Sequence, residues 1–347
     1  MTGPAGLRLG LALDLGSDPA MGPVAAQVRR ARPLLDAAEQ AGFDSVWLGE
    51  SFHSSPEPFH LPSALLGLAH LAALTGLGLG TGVLLVRAQD PDRLAVEAAL
   101  VDQLSEGRLT LGLGLGPPPL RGTYGGPDRA GGALLDALLA RLRDLWRGGA
   151  SAGPASPGRA DDGGGGAGGG AGSVPAPYRA GGPPVLVGGS GAAAVHRAVS
   201  AAAGYYAATN YSDRVLQAQA AAYRAAGGTG TVAANRICFV DTDGDRARHH
   251  AAEHLAPLRR YYTSRGLWDV GAADGDPEPV LVGSPDEVLA RLRAHRRAGV
   301  TQVQVRAAPH GVPADVARRT VALLGEHVLP RLDTVPAGTP DHDRSSS

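Results

Sequence analysis

The sequence predicts a single (β/α)8 barrel, and three observations predict it. Short apolar strand patterns alternate with amphipathic helical patterns from end to end. Glycine-rich or polar runs follow several of those strands, where a parallel barrel places its chemistry. No dinucleotide-binding glycine fingerprint opens the first unit, which weighs against a doubly wound sheet.

Residues 7–13 read as the first strand, and residues 24–41 as an amphipathic helix with Leu34, Leu35 and Ala38 inward. After a glycine turn at Gly42, residues 44–48 form a short strand, and residues 61–74 an apolar helix with Pro62 near its first turn. Residues 77–86 are the third strand, 91–104 a helix started by Pro91, 109–115 the fourth strand and 131–146 the fourth helix. Residues 148–183 are nearly all Gly, Ala, Pro and Ser, including GGGGAGGGAG from Gly163. That composition buries too little apolar surface to offset ordering, so a mobile surface insertion is expected, with an interdomain linker as the competing reading. The insertion is favoured because the alternation resumes beyond it. Strands follow at 184–187, 204–208, 236–240 and 301–305, with helices at 192–203, 213–226, 243–265, 285–298 and 313–329. The stretch 266–284 is irregular and implies one connection more complex than a single helix. The barrel domain is thus expected over residues 1–331, with a disordered tail at 332–347.

Bulk properties narrow the function. The chain has 347 residues, 44% of them hydrophobic, and a formal net charge of -1. That balance argues against nucleic acid or an anionic membrane as the main partner. All 32 basic residues are arginine, which removes Schiff-base chemistry and the lysine-bearing phosphate loop. A single cysteine, Cys238, excludes an internal disulfide and reads as a small core residue. No signal-peptide pattern and no long apolar run are visible, so a soluble cytoplasmic protein is expected.

Several groups are candidates for chemistry. The run Glu50-Ser51-Phe52-His53 at the end of the second strand puts a carboxylate three residues before an imidazole, a pair able to move protons, orient a loop or simply be solvated. His60 ranks lower, beside a helix start. Gly80 and Gly82 strip side chains from alternate positions of the third strand, either for close ligand approach or for tight packing. The turn at Gly188, Gly189, Ser190 and Gly191 joins a strand to a helix start, either as a purely structural turn or as a site whose free N–H groups suit a phosphate monoester. Asp14, Asn210 and Tyr211 stand at other strand ends, placed to line a pocket or to cap a helix. His249, His250 and His254 share one charged helix, but without an HExxH frame a solvated face is the simpler reading, and no metal site is expected. Trp47 and Trp146 read as core.

Four segments carry a family resemblance: AEQAGFDSVWLGE from Ala38, the long run LGLGTGVLLVRAQDPDRLAVEAALVDQLSEGRLTLGLGLG from Leu77, PPVLVGGSG from Pro183, and VGSPDEVLARLRAHRRAGVTQVQV from Val282. Together they resemble the bacterial luciferase-like superfamily of flavin-dependent monooxygenases and deazaflavin-dependent oxidoreductases, over about residues 7–329. The resemblance implies a flavin in the C-terminal mouth of the barrel. It implies a bulge at Gly82 and Val83, often with a non-prolyl cis peptide, against the flavin ring, and a phosphate site at Gly188, Gly189, Ser190 and Gly191; Asn210, a strand-end residue, is counted with these as a cofactor-binding candidate. Luciferase-type relatives carry Glu-His-His after the second strand. This chain has Glu50, Ser51 and Phe52, so Ser51 replaces the expected imidazole and His53 arrives two positions late. Leu115 likewise stands where such relatives can carry a phosphate-binding arginine, which implies modest cofactor affinity or a substitute arginine.

The resulting expectation is a two-component monooxygenase that uses reduced FMN from a separate flavin reductase, plus molecular oxygen, to oxidise a small organic substrate. Glu50, Ser51 and His53 are its expected catalytic group. Hydride transfer from a reduced deazaflavin coenzyme is the first alternative, and a non-catalytic flavin-binding partner protein the second. The resemblance also implies a homodimer.

Overall fold

The computed structural model describes residues 6–16, 22–50, 63–116, 131–147, 175–264, 266, 268–309 and 311–333. In chain order its elements are β1 (Arg8–Leu13), α1 (Val24–Gln40), β2 (Ser45–Leu48), α2 (Ala64–Ala72), β3 (Gly78–Thr81), β4 (Leu84–Leu85), α3 (Pro91–Leu104), β5 (Leu109–Gly114), α4 (Gly131–Arg147), β6 (Val185–Gly188), α5 (Ala192–Ala201), β7 (Gly204–Ala207), α6 (Asp213–Ala225), β8 (Thr231–Val240), α7 (Gly244–Thr263), β9 (Val280–Gly283), α8 (Pro285–Arg297), β10 (Gln302–Arg306) and α9 (Ala314–Leu323).

Local chemistry starts and stops these elements. Asp90 caps α3 by accepting from the Arg93 N–H at 2.9 Å, with Pro91 preset for the first turn. Ser284 and Glu287 form a reciprocal capping box at α8. Beyond α1, Gly42 takes φ 82°, which lets the Phe43 N–H reach back to the Ala38 carbonyl and turns the chain into β2.

All strand pairings are parallel, in the order β10-β1-β2-β3-β5-β6-β7-β8-β9. The Ala233–Ile237 stretch of β8 also pairs with β10, which closes the barrel. The eight strands expected from sequence are all present in that closed ring, with three adjustments. The third expected strand is interrupted: β3 ends at Thr81, a cis peptide joins Gly82 to Val83, and β4 resumes the pairing with β5. β8 starts at Thr231 rather than 236. An extra strand, β9, lies in the stretch expected to be irregular and pairs with the outer end of β8.

Leucine and glycine alternate along β3 and β5, and the two residue types face opposite ways. Leu79, Leu109, Leu111 and Leu113 are fully buried against the helical layer. The glycines face the barrel axis and leave room for rings. A Cβ on Gly80 would lie 2.3 Å from the Trp47 ring, and one on Gly82 the same distance from the Tyr206 hydroxyl. Trp47 and Tyr206, with centroids 6.0 Å apart, join Leu186 and Ala233 in a small inner core. The Trp47 indole N–H donates to Ser45 Oγ at 2.8 Å, and Gln302 Nε2 donates to the same oxygen at 2.7 Å, so both of these inward donors are satisfied.

Beyond the Gly-rich stretch, residues 175–183 are tied to the barrel: the Arg179 N–H donates to Asp102 at 2.9 Å, and Gly182 packs on the Trp146 ring. Residues 148–174 of the expected insertion and 334–347 of the expected tail lie outside the described residues. Leu332 is buried in the main core. Among the described residues no helix is long and apolar enough to cross a membrane. Replacing Gly80 with alanine is expected to cost about 1–3 kcal/mol, because the clash is with a rigid ring and not a flexible chain end. Denaturant unfolding of G80A checks this, and an unchanged midpoint would show that Trp47 can move.

Candidate active site

The C-terminal ends of the barrel strands surround a cavity of about 630 Å³. Trp47, Val83 and Tyr206 form its floor, and Gly188, Gly189 and Ser190 one wall. Asp14 and Arg306 stand in the wall formed by β1 and β10, and Tyr261, Tyr262 and Val270 reach in from the end of α7 and the segment after it. Leu13, Leu15, Leu85 and Leu115 add apolar surface to the lining, beside polar groups from Glu50, Thr209, Asn210 and Asn235.

Glu50 follows β2 and is bound to the chain around the cis peptide. Its N–H donates to the Val83 carbonyl at 3.0 Å, while the Leu85 N–H and Gln89 Nε2 donate to Glu50 Oε2 at 2.9 and 3.0 Å. Burial nevertheless pushes its carboxyl up from 4.5 to about 7, past the opposing pull of these donors. Ser51 and His53, the other two residues of the expected catalytic group, lie outside the described residues, as does His60.

The turn after β6 is shaped by where its carbonyls go. Gly189 adopts φ 153°, and its carbonyl accepts from the Tyr205 hydroxyl at 2.7 Å. The Ser190 carbonyl accepts from Gln219 Nε2 at 2.8 Å. With both carbonyls occupied behind the turn, the first N–H groups of α5 are left without a side-chain cap, because Gly191 holds the cap position. An uncapped helix start beside a cavity is an anion-binding arrangement. Tyr211 is hydrogen-bonded to the Ser190 side chain, and Asn210 lines the same cavity, its carbonyl taking the Val270 N–H at 2.8 Å.

The structure therefore brings Glu50, Gly82, Val83, Gly188, Gly189, Ser190 and Asn210 to one cavity, with Gly191 at the adjoining helix start. It also brings residues that the sequence reading did not single out. Tyr206 places a buried hydroxyl under Gly82, with the side chain of Asn235, another lining residue, as its polar neighbour. Burial pushes the Tyr206 hydroxyl well above its ordinary range, so it remains a proton donor. Arg306 Nε donates to both oxygens of Asp14, at 2.8 and 2.7 Å, across the β1–β10 seam. The inward register of GYYA in β7 could have revealed Tyr206, and the strand-end rule that found Asp14 would have found Arg306 one residue further along. Leu115 crowds Gly131 together with the Arg87 guanidinium, which places an arginine beside the position where the resemblance leads one to expect it.

Fold and site together define a TIM barrel with a cofactor-sized cavity at its C-terminal mouth. The chain belongs to the luciferase-like monooxygenase family, whose model matches residues 10–302. It is 32% identical, over 123 residues, to the oxygenase component of the flavin-dependent trigonelline monooxygenase of Acinetobacter baylyi, covering 33% of this chain and 32% of that protein. It is 36% identical, over 123 residues, to a putative coenzyme F420-dependent oxidoreductase of Mycobacterium tuberculosis, covering 35% of this chain and 31% of that one. The chain thus matches about a third of the length of each of these two relatives. The crystal structure of monooxygenase RslO1 from Streptomyces bottropensis has the same fold, with a TM-score of 0.72 at 22% identity, covering 94% of this chain and 99% of that one. Of the two relatives matched in sequence, one is named for a flavin and the other for coenzyme F420.

The residues present fit such a cofactor. The cavity is the right size, an uncapped helix start faces one side, and the Tyr206 hydroxyl and the Asn235 amide put a polar pair at its floor. For the protein without cofactor, a pH dependence follows from Glu50. Its folded-state pKa lies above 4.5, so the stability it contributes is present in full below pH 4.5 and is lost as pH rises through about 7. Denaturant unfolding across that range should show wild-type stability falling relative to E50Q, and parallel curves would mean that Glu50 titrates normally.

Proposed function

We propose that this chain is the oxygenase component of a two-component monooxygenase, receiving reduced FMN from a separate flavin reductase and oxidising a small organic substrate. The observation that carries the reading is one cavity bounded by both the Gly82–Val83 bulge and the uncapped turn at Gly188 to Gly191. Reduced FMN would supply the electrons and the site at which oxygen is activated. The N–H groups of Gly189, Ser190 and Gly191 would hold its phosphate, with Arg87 adding charge from beside Leu115 and Asn210 donating from the next loop. Gly82 and Val83 would lie against the ring, and the Tyr206 hydroxyl would donate to it from below. Glu50 fixes the bulge and orients the residues after it, so that Ser51 or His53 handles the proton. Leu13, Leu15, Val83 and Leu115 exclude water from the reacting region.

The name of the Acinetobacter relative, an oxygenase component, supports the reductase partner. The second reading is hydride transfer from a reduced deazaflavin, supported by the name of the Mycobacterium relative and by Ser51 in place of an imidazole. Anaerobic titration with reduced FMN and reduced deazaflavin, followed by admission of oxygen, separates the two. Tighter FMN binding with oxygen-dependent substrate oxidation is expected. Preference for the deazaflavin with no oxygen uptake overturns the first reading, and flavin binding with no turnover by either route points to a non-catalytic partner protein. S190E is expected to weaken FMN at least tenfold, since a carboxylate beside the phosphate costs more than about 1.4 kcal/mol. Unchanged affinity would remove the phosphate from this turn.

A homodimer belongs to the same proposal. Leu66 of α2 and Leu100 and Leu104 of α3 are 73%, 43% and 64% exposed on two helices that pack side by side, an apolar stripe suited to a second copy. Light scattering should report a dimer for wild type and a monomer for the double variant L66E/L104E. A wild-type monomer would contradict the assignment.

A further inference from the structure

We infer that α7 carries a divalent transition-metal site formed by His250, Glu253 and His254. These residues occupy positions i, i+3 and i+4, so one face of the helix presents all three. One ligand atom from each lies within 4.8 Å of the other two. The His250 and His254 rings stand nearly parallel, 10° apart in plane with centroids at 6.0 Å, and His254 Nε2 is 3.8 Å from Glu253 Oε2. Ligand atoms around a tetrahedral ion at Zn–N and Zn–O bond lengths sit roughly 3.4 Å apart, so side-chain rotation alone brings this set together.

Two observations separate this group from a solvated helix face. His250 Nδ1 is buried and has no hydrogen-bond partner, whereas buried polar atoms are normally satisfied. His254 is only 14% exposed, while the neighbouring His249, also near Glu253 at 3.9 Å, is 76% exposed and behaves as a surface histidine should. The helix is also held in place from its other side: Ala251 and Leu255, next in sequence to the two imidazoles, are buried in a cluster with Ile237, Phe239 and Val280. The backbone positions of the ligands are therefore fixed before any ion arrives, which lowers the ordering cost of chelation.

The donor set is two imidazoles and a carboxylate, with no thiolate. That combination favours Zn²⁺, Ni²⁺, Co²⁺ or Cu²⁺ over Mg²⁺ or Ca²⁺, and leaves the remaining positions to water. The chelate would span the turn just before Pro257, whose missing N–H leaves the Glu253 carbonyl without its helical donor. Beyond Pro257 the same helix carries Tyr261 and Tyr262 into the cavity, so an ion here would brace the helix that supplies one cavity wall while lying outside the cavity itself.

Calorimetric titration of Zn²⁺ and Ni²⁺ into tag-free, chelator-stripped protein tests the site. One saturable equivalent is expected, and H250A and H254A should each lower affinity by more than the roughly 10–100-fold typical of changes outside the ligand set. H249A should leave it nearly intact, and the thermal midpoints of wild type and H249A should rise with metal while those of H250A and H254A rise little or not at all. Binding that survives both H250A and H254A, or no saturable binding below millimolar metal, overturns the inference. A zinc-soaked crystal of the wild-type protein gives a check independent of any variant: anomalous density among the three side chains supports the site, and its absence at saturating zinc refutes it.

Discussion

Space on the barrel axis is the constraint from which the rest of this molecule follows. Eight parallel strands enclose an interior that side chains ordinarily fill in layers. Here the inward positions of β3 and β5 are largely glycine, and two aromatic rings from β2 and β7 occupy the vacated volume. The rings form a floor, and above them the same absence of side chains becomes the cavity. Alternating leucines on the outward face of the same strands bind the helical layer. One period-2 pattern therefore supplies the main core, the inner aromatic layer and the opening for a ligand.

The second dependency is the link between the end of β2 and the break between β3 and β4. Glu50 both donates to and accepts from the segment around the cis peptide, through Val83 and Leu85. The carboxylate is thereby drawn into a poorly solvated place, and burial outweighs the donors that face it. A group stationed there for backbone reasons acquires a proton affinity near neutrality, so structural anchoring and acid–base potential arise from the same contacts.

Much of this was legible in the sequence because barrel strands are short, local and strongly patterned. The β1, β2, β5, β6, β7 and β10 segments announced themselves by apolar runs, and helix starts by Asp90-Pro91 and Ser284-Pro285. The glycine turn at Gly188 to Gly191 was visible for the same reason. What escaped was non-local. Tyr206 matters because Gly82, over a hundred residues earlier, leaves space above it, and no window of sequence contains both. Asp14 and Arg306 meet only because β10 pairs with β1. β9 was hidden because its short run, Val280 to Gly283, sits among prolines and acidic residues, and its pairing with β8 supplies the stability that local propensity lacks.

A buried charge cluster extends this non-local logic to the loop that carries Asn210. Arg236 on β8 is fully buried, yet two of its hydrogen bonds go to backbone carbonyls, Asn235 at 3.0 Å and Ala208 at 3.2 Å. Asp213, at the start of α6, lies 3.6 Å from the Arg236 guanidinium and 2.7 Å from that of Arg291, while His295 stands 3.5 Å away. Burial pushes His295 down to about 3, so it is neutral, and lowers Arg236 only to about 10, so it keeps its charge. Asp269 adds a second carboxylate that acts on Arg236, so the two guanidinium groups behind the β7–α6 loop face two acidic partners. That arrangement costs desolvation energy and is not the most stable way to fill the space. Its return is positional: Arg236 pins Ala208, and the loop from Thr209 to Tyr211 extends from that pinned point into the cavity wall beside Ser190.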